Sequence, residues 1–441
     1  MIGFGTDGIR GRVGVEITTE LSFAVGHAAV EVLGSVVYVG RDTRPSGPDL
    51  EDAVVAGVVA AGGAAVRLGV VPTPALAWIM AVEGADAAVM ITASHNPARD
   101  NGLKVFGRGG AKPGAAVRRR IEEAMRRGTL GSVAHGSERL HPDPAAVYLG
   151  LVDDALRASG GVTSPRPGGV LPLSGRRLVV DAGNGAGHDL APGMVERLGG
   201  EGIRVGDGDG ARINDGCGAL HPERLAAVVR EVSADGGLAL DGDGDRVVVV
   251  DATGRVLEGD ALLWVAARRL WPDASTGPEP REVVGTVMTN AGLEVALGGL
   301  RVRLRRTPVG DENVTAAMIE EGARLGGEPS GHLMIAGGPP SADGLYVALR
   351  LLLPEPRQLV RDVAGYHPYV QVHRTVPLVD RSRFVAPVAS IARAEALGAC
   401  VVVRPSGTEP IVRVLVEHAN ADCATEGAEG IRQELMSGAY T

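Results

Sequence analysis

Runs of β-branched and small apolar residues, each stopping at a polar or glycine-rich loop, recur along the whole of this chain. Residues 36–39 lead into GRDTRPSG, 87–91 into TASHNP, 178–180 into DAGNGAG, 238–240 into DGDGDR, 283–287 into MTNAG and 400–403 into RPSGTEP. Between them lie Ala-, Arg- and Glu-rich segments of helical character, such as residues 49–61 and 222–232. Strands alternating with helices predict a mostly parallel α/β architecture. Ligands of such sheets bind at the carboxyl ends of the strands, where these loops fall. Clusters of Pro, Gly and Ser at residues 158–175 and 353–368 suggest breaks, whereas 271–280 reads as a loop inside a domain because a strand-like run resumes directly after it. Four units are expected, near residues 1–150, 151–254, 255–366 and 367–441.

Composition narrows what those units do. Lys+Arg number 44 against Asp+Glu 53, a formal net charge of −9, which argues against a nucleic-acid partner. With 45% hydrophobic and 22% charged residues the chain is built to fold, and with 3% aromatics its cores must come mainly from Ala, Val, Leu and Ile. The weakly polar stretch 53–66 is interrupted by glycine and too short to cross a bilayer, so no membrane partner is expected. No secretory signal is read in the opening MIGFGTDGIRG. Cys217, Cys400 and Cys423 form no C-x-x-C pair, which speaks against a disulfide framework or zinc ribbon and for a reduced, cytoplasmic setting.

The loops carry the chemistry. Asp241, Asp243 and Asp245 alternate with glycines, a spacing that lets three carboxylates converge on one hard cation such as Mg2+. An EF-hand is excluded, since Arg246 and Ala252 stand where that loop needs Gly and Glu. Ser94, in TASHNP, is a candidate nucleophile or a turn residue; its neighbour His95 does not suggest a hydrolase triad, because adjacent side chains rarely present base to hydroxyl. Lys104 and Lys112 are the only lysines, so the remaining basic residues are arginine. A lysine kept at position 104, close after Ser94, points to an ammonium that titrates or holds a phosphate. Arg404, Ser406, Gly407 and Thr408 offer a guanidinium fork, hydroxyls and a close backbone amide, a set suited to a phosphate dianion. Glu328, Ser330 and His332 offer acceptors and donors for sugar hydroxyls, and Arg10 lies in a glycine-rich loop suited to anions.

In this order and spacing the loops resemble the α-D-phosphohexomutase superfamily over nearly the whole chain. The resemblance implies three related mixed α/β domains and a smaller α+β carboxyl-terminal domain around a central cleft. Their expected duties, in chain order, are phosphoserine chemistry, metal binding, sugar binding and phosphate binding. It implies that Ser94 carries a phosphoryl group and that Asp241, Asp243 and Asp245, with Ser94, hold one Mg2+. Glu328, Ser330 and His332 would read the sugar, and Arg404, Ser406, Gly407 and Thr408 would grip its distal phosphate. Arg10, His95, Lys104, Arg246 and His332 match positions near the transferring phosphoryl group or the reacting hydroxyl. Lys104 and His95 are the expected proton shuttles, each needing a pKa closer to neutrality than a free lysine has.

Three stretches are similar to the branch acting on glucosamine phosphates: the GTDGIRG opening, INDGCG leading to HPE, and GTVMTN followed by RTPVGD. Two departures stand out, Pro329 for the glutamine usual in that branch and Glu312-Asn313 for its Arg-Tyr; both fall where the sugar would be recognised or covered. The expected reaction interconverts glucosamine 6-phosphate and glucosamine 1-phosphate through phosphoserine and a hexose 1,6-bisphosphate intermediate. The alternatives are the same chemistry on glucose or mannose phosphates, a metal-dependent phosphatase, and a non-catalytic phosphosugar-binding protein. Oligomeric state is left open, a homodimer included.

Overall fold

The structure is a computed structural model that describes residues 5, 7–128, 136–159, 170–273, 275–338, 341–353, 355–378, 384–406 and 410–437. The first sheet contains β1 (Ile9–Arg12), β2 (Val36–Arg41), β3 (Ala64–Val70), β4 (Ala87–Ile91), β5 (Asp100–Gly107) and β6 (Ser137–Leu140), in the order β1-β5-β4-β2-β3-β6. The second contains β7 (Arg177–Asp181), β8 (Glu201–Val205), β9 (Gly236–Leu240), β10 (Val247–Asp251) and β11 (Val256–Leu257), in the order β11-β10-β9-β7-β8. The third contains β12 (Glu282–Thr286), β13 (Arg303–Thr307), β14 (Leu325–Gly327) and β15 (Leu333–Ile335), in the order β13-β12-β14-β15. The last is a three-stranded antiparallel sheet of β16 (Val370–Pro377), β17 (Cys400–Pro405) and β18 (Ile411–His418), with β18 central.

The sheets are mixed rather than mostly parallel. Strands joined through helices pair in parallel, as β2 does with β3 and β4, and β7 with β8 and β9. The two motif loops do otherwise: TASHNP joins the antiparallel pair β4 and β5, and DGDGDR is the turn of the antiparallel hairpin β9–β10. Loops this short have no room for the crossover that parallel strands require.

One apolar cluster passes through the first three sheets, from Leu76 and Ile79 through Leu178 and Leu240 to Leu293 and Leu349. Where these units meet, Trp78 packs against Tyr148 and Tyr346 with ring centroids 6.4 and 6.2 Å apart. The last sheet has its own cluster, including Val376, Val412, Val414, Val416 and Ile431. Polar contacts join it to the third: Asn290 donates to Tyr369 O (3.0 Å), Tyr369 N–H donates to Asn290 Oδ1 (2.8 Å), and Ala291 N–H donates to Glu417 Oε2 (3.1 Å). Among the described residues no helix is long and apolar enough to cross a membrane.

Candidate active site

Strand β4 is buried along its whole length, and the chain leaves it through Thr92 and Ala93 to Ser94, which has φ 53°. That left-handed backbone is held from several sides. Ser94 N–H donates to Thr92 Oγ1 (2.9 Å), and the Thr92 hydroxyl donates to Asp42 Oδ2 (2.7 Å). Arg44, fully buried, donates to Asp42 Oδ2 (2.9 Å) and to the carbonyls of Ser94 (3.0 Å), Asn96 (2.7 Å), Pro97 (2.5 Å) and Asp100 (2.9 Å). From the connection between β8 and β9, Asn214 Nδ2 also donates to Ser94 O (2.9 Å) and Asn96 O (3.1 Å). So anchored, the Ser94 hydroxyl donates to Asp241 Oδ2 at 2.7 Å and lies 3.2 Å from His95 Nδ1. The neighbouring serine and histidine therefore do meet, against the expectation from adjacency, because the positive φ turns the serine back toward its neighbour.

The DGDGDR turn approaches from the second sheet. A Cβ at Gly185 would lie 2.2 Å from Gly242 O, and one at Gly242 would lie 2.7 Å from Ser94 O, so these two positions admit only glycine. The turn brings oxygens of Asp241, Asp243 and Asp245 within 4.8 Å of one another. Asp243 Oδ2 accepts from Thr73 Oγ1 (2.5 Å) and Lys104 Nζ (2.7 Å), while its Oδ1 is buried without a hydrogen-bond partner. Asp245 accepts from Lys104 Nζ (2.7 Å) on one oxygen and pairs with His332 Nε2 (2.8 Å) on the other. Three buried carboxylates, one with an unpartnered oxygen, fit a hard divalent cation.

Burial and mutual repulsion set the charges here. Burial, with Asp245 and Asp243 beside it, pushes Asp241 up to about 7. Burial opposes the charge on Lys104, but Asp243, Asp245 and Asp7 outweigh it and raise its pKa well above the ordinary lysine value. The expected shift of Lys104 toward neutrality is thus reversed: its ammonium faces three carboxylates. Burial, then Arg246 and Arg10, lowers His95 to about 4. Burial alone would lower His332, yet the charge and hydrogen bond of Asp245 take it up to about 10.

His332 also brings in the third domain. Its Nδ1 lies 3.4 Å from Glu328 Oε2, and Glu328 Oε1 accepts from Gly310 N–H at 2.9 Å. Val247 N–H donates to Gly331 O (3.1 Å), fixing this loop to β10. Arg10 pairs with Asp7, which lies 3.5 Å from Lys104 Nζ. The Nε atoms of Arg10 and Arg246 are buried without hydrogen-bond partners, that of Arg246 lying 3.9 Å from Asp241 Oδ2. Ser94, His95, Lys104, Arg10, the three aspartates, Arg246, Glu328 and His332 thus form one connected network.

The other expected residues lie elsewhere. Ser330 is exposed beside the network. Arg404 is half-buried on β17 opposite Arg413, and Ser406 is buried after that strand with its N–H on Ile411 O (2.8 Å); neither contacts the network among the described residues. Gly407 and Thr408 lie outside the described residues. Residues not singled out from sequence, Asp7, Asp42, Arg44, Thr73 and Thr92, complete the arrangement. Their signal was weak: Asp42 and Arg44 stand in a strand-end loop, GRDTRPSG, of the same kind as the others.

Models of the phosphoglucomutase/phosphomannomutase family match residues 1–131 (alpha/beta/alpha domain I), 170–254 (domain II), 258–353 (domain III) and 360–434 (C-terminal domain). The chain belongs to this family, and it is an enzyme of the intramolecular phosphotransferase class. Similar curated proteins are more particular. A phosphoglucosamine mutase of Halorhodospira halophila is 41% identical over 435 residues, covering 95% of this chain and 92% of its own. One of Parafrankia sp. is 40% identical over 466 residues, covering 96% and 97%. Among solved structures, a phosphoglucomutase/phosphomannomutase family protein of Burkholderia thailandensis superposes with TM-score 0.79 at 25% identity, covering 99% of this chain and 98% of that one. Aspergillus fumigatus N-acetylphosphoglucosamine mutase, solved in complex with GlcNAc-6P and magnesium, shares the fold at TM-score 0.60 and 18% identity, covering 99% and 96%.

Proposed function

We propose that this protein interconverts glucosamine 6-phosphate and glucosamine 1-phosphate through a phosphoryl group carried on Ser94 and a 1,6-bisphosphate intermediate. The observation that carries this reading is the pairing of a buried serine hydroxyl, 2.7 Å from an aspartate cluster, with the buried Nε donors of Arg10 and Arg246, neither of which makes a hydrogen bond. Donors left without acceptors in such a place suit the equatorial oxygens of a phosphoryl group in flight. The curated phosphoglucosamine mutases support the choice of sugar.

In the forward half-reaction the bond between phosphorus and Ser94 Oγ breaks, and a bond to the sugar hydroxyl oxygen forms. The proton lost by the sugar hydroxyl balances the one Ser94 Oγ regains: His95, a neutral imidazole 3.2 Å from that oxygen, is placed to take up the first and return one to Ser94 Oγ. Lys104 holds the charge of Asp243 and Asp245, and Arg10 and Arg246 neutralise the phosphoryl oxygens. Asp241, Asp243 and Asp245, with an oxygen of the group on Ser94, would hold one Mg2+, which when bound draws charge from the phosphoryl oxygens. Glu328 and Ser330 would read sugar hydroxyls, beside His332. Arg404, Ser406, Gly407 and Thr408 would grip the distal phosphate while the bisphosphate turns over and returns its other phosphoryl group to Ser94.

Turnover of glucosamine 1-phosphate should exceed that of glucose 1-phosphate and mannose 1-phosphate, and Ser94→Ala should abolish it. A preference for glucose or mannose would move the assignment to those sugars, a reading favoured only by the departures at Pro329 and Glu312-Asn313. Appreciable mutase turnover by Ser94→Ala would reject the phosphoserine route. Release of inorganic phosphate without isomerisation would make the protein a phosphatase.

A further inference from the structure

The proposed reaction uses Lys104 and leaves the chain's other lysine without a task. Lys112 lies where the first domain meets the third. Its ammonium pairs with Asp7 in the amino-terminal loop and, at 2.7 Å, with Asp311 Oδ2. Both carboxylates and the ammonium are largely buried, and Lys112 is only 12% exposed. Asp311 opens the helix Asp311–Glu321, and the next residue, Glu312, pairs with Arg118 of the first domain. A cavity of about 320 Å3 lined by Lys112, Arg118, Asp311 and Glu312 runs along this seam. Ion pairs therefore bridge a gap that side-chain packing leaves unfilled.

Both ends of the bridge reach the active site. Asp7 is shared with Arg10 and lies 3.5 Å from Lys104 Nζ. Asp311 follows Gly310, whose N–H holds Glu328 Oε1 at 2.9 Å. The charges alternate from Arg10 and Lys104 through Asp7 and Lys112 to Asp311, one peptide from the group that orients Glu328.

We propose that Lys112 is a positioning residue for sugar recognition, fixing the segment 310–312, and through it Glu328, at a set distance from the phosphoryl-transfer groups of the first domain. This rests on the reading of Glu328 as a sugar-binding carboxylate. A compact ammonium with three donors suits two carboxylates arriving from different domains. Its effect should fall on binding common to ground and transition states, because Glu328 would hold parts of the sugar that do not react.

The test is steady-state kinetics on the full-length, phosphorylated enzyme with glucosamine 1-phosphate. Lys112→Met and Asp311→Asn should each raise KM by about tenfold while kcat stays within about threefold. Lys112→Arg, which keeps the charge, should hold KM within about threefold of the parent, and the Lys112→Met/Asp311→Asn double variant should be no worse than either single. An unchanged KM in the single variants, a loss confined to kcat, or effects that add in the double variant would overturn the proposal. Should Lys112→Met not fold, Asp311→Asn decides alone. If the parent enzyme converts a different hexose phosphate, the assignment of sugar fails separately and the same comparison is read on the sugar it does convert.

Discussion

Replacing Arg44 by methionine keeps an unbranched apolar stem and deletes every hydrogen bond the guanidinium makes. All the guanidinium nitrogens are engaged, with Asp42 and with four carbonyls of the segment 94–100. Neither Arg44 nor Asp42 exposes any side-chain surface, so the pair is fully desolvated. Breaking such a pair from one side costs about 3–5 kcal/mol, because a buried charge is left behind. Asp42 limits that cost by taking up a proton, since burial already pushes its carboxyl above the usual range. Asn214 would still serve Ser94 O and Asn96 O. Taking about 4 kcal/mol, and about 2–4 °C per kcal/mol for a unit of this size, the thermal midpoint should fall by roughly 10 °C. Turnover should fall as well, since Ser94 loses the anchor that sets its position against Asp241. Adding Asp42→Asn to Arg44→Met should restore part of the midpoint, because no buried charge then remains to be neutralised. The assay is a thermal scan by circular dichroism beside a mutase rate. An Arg44→Met protein melting within about 2 °C of the parent, with turnover within about twofold, would refute the reasoning.

Asp260, where the third domain meets the fourth, is pushed up to about 7 by burial, with Glu417 adding to the shift, and its Oδ1 has no partner. A carboxyl raised in the folded state contributes stability that is full below its unfolded value near 3.8 and lost as pH rises through about 7. Asp260→Asn should therefore stabilise the protein by up to about 4 kcal/mol at pH 8 and by almost nothing near pH 4, as read by urea unfolding at the two pH values. Gly185→Ala sets a methyl group 2.2 Å from Gly242 O, so the DGDGDR turn must move; mutase rate should fall at least about tenfold even where the protein stays folded by circular dichroism. Exhaustive chelation should remove most turnover, with Mg2+ restoring it, and Asp243→Asn should weaken that restoration by raising the Mg2+ concentration required.

The inner strands were legible because they are buried on both faces and so read as continuous apolar runs, those at residues 87–91 and 238–240 among them. The aspartate cluster was legible because a glycine-rich turn brings alternate residues together without help from distant chain. Strand direction was misjudged where the signal was in fact present, since too few residues separate Leu240 from Val247 for a parallel crossover. Other features depend on contacts that spacing does not report. Thr73 meets Asp243 from 170 residues away, and Lys104 reaches the same carboxylate from 139. Its charge state followed from that meeting, which is why reasoning from the lysine alone gave the wrong sign.

The division of the apolar core bears directly on the proposed turnover of a bisphosphate. Phosphoryl transfer needs its groups held to within about half an ångström, and the first three sheets provide this by sharing one cluster in which any relative tilt would open cavities. Arg404 and Ser406, proposed to grip the distal phosphate, lie instead on and just after a strand of a sheet with its own core, joined to the third domain through the hydrogen bonds of Asn290, Tyr369, Ala291 and Glu417. A unit joined in this way can tilt at the cost of a few hydrogen bonds, without unpacking either core. A sugar bearing two phosphates has to release one clamp in order to turn, so separating the cores lets the clamp yield while Ser94, the aspartates and Lys104 keep their register.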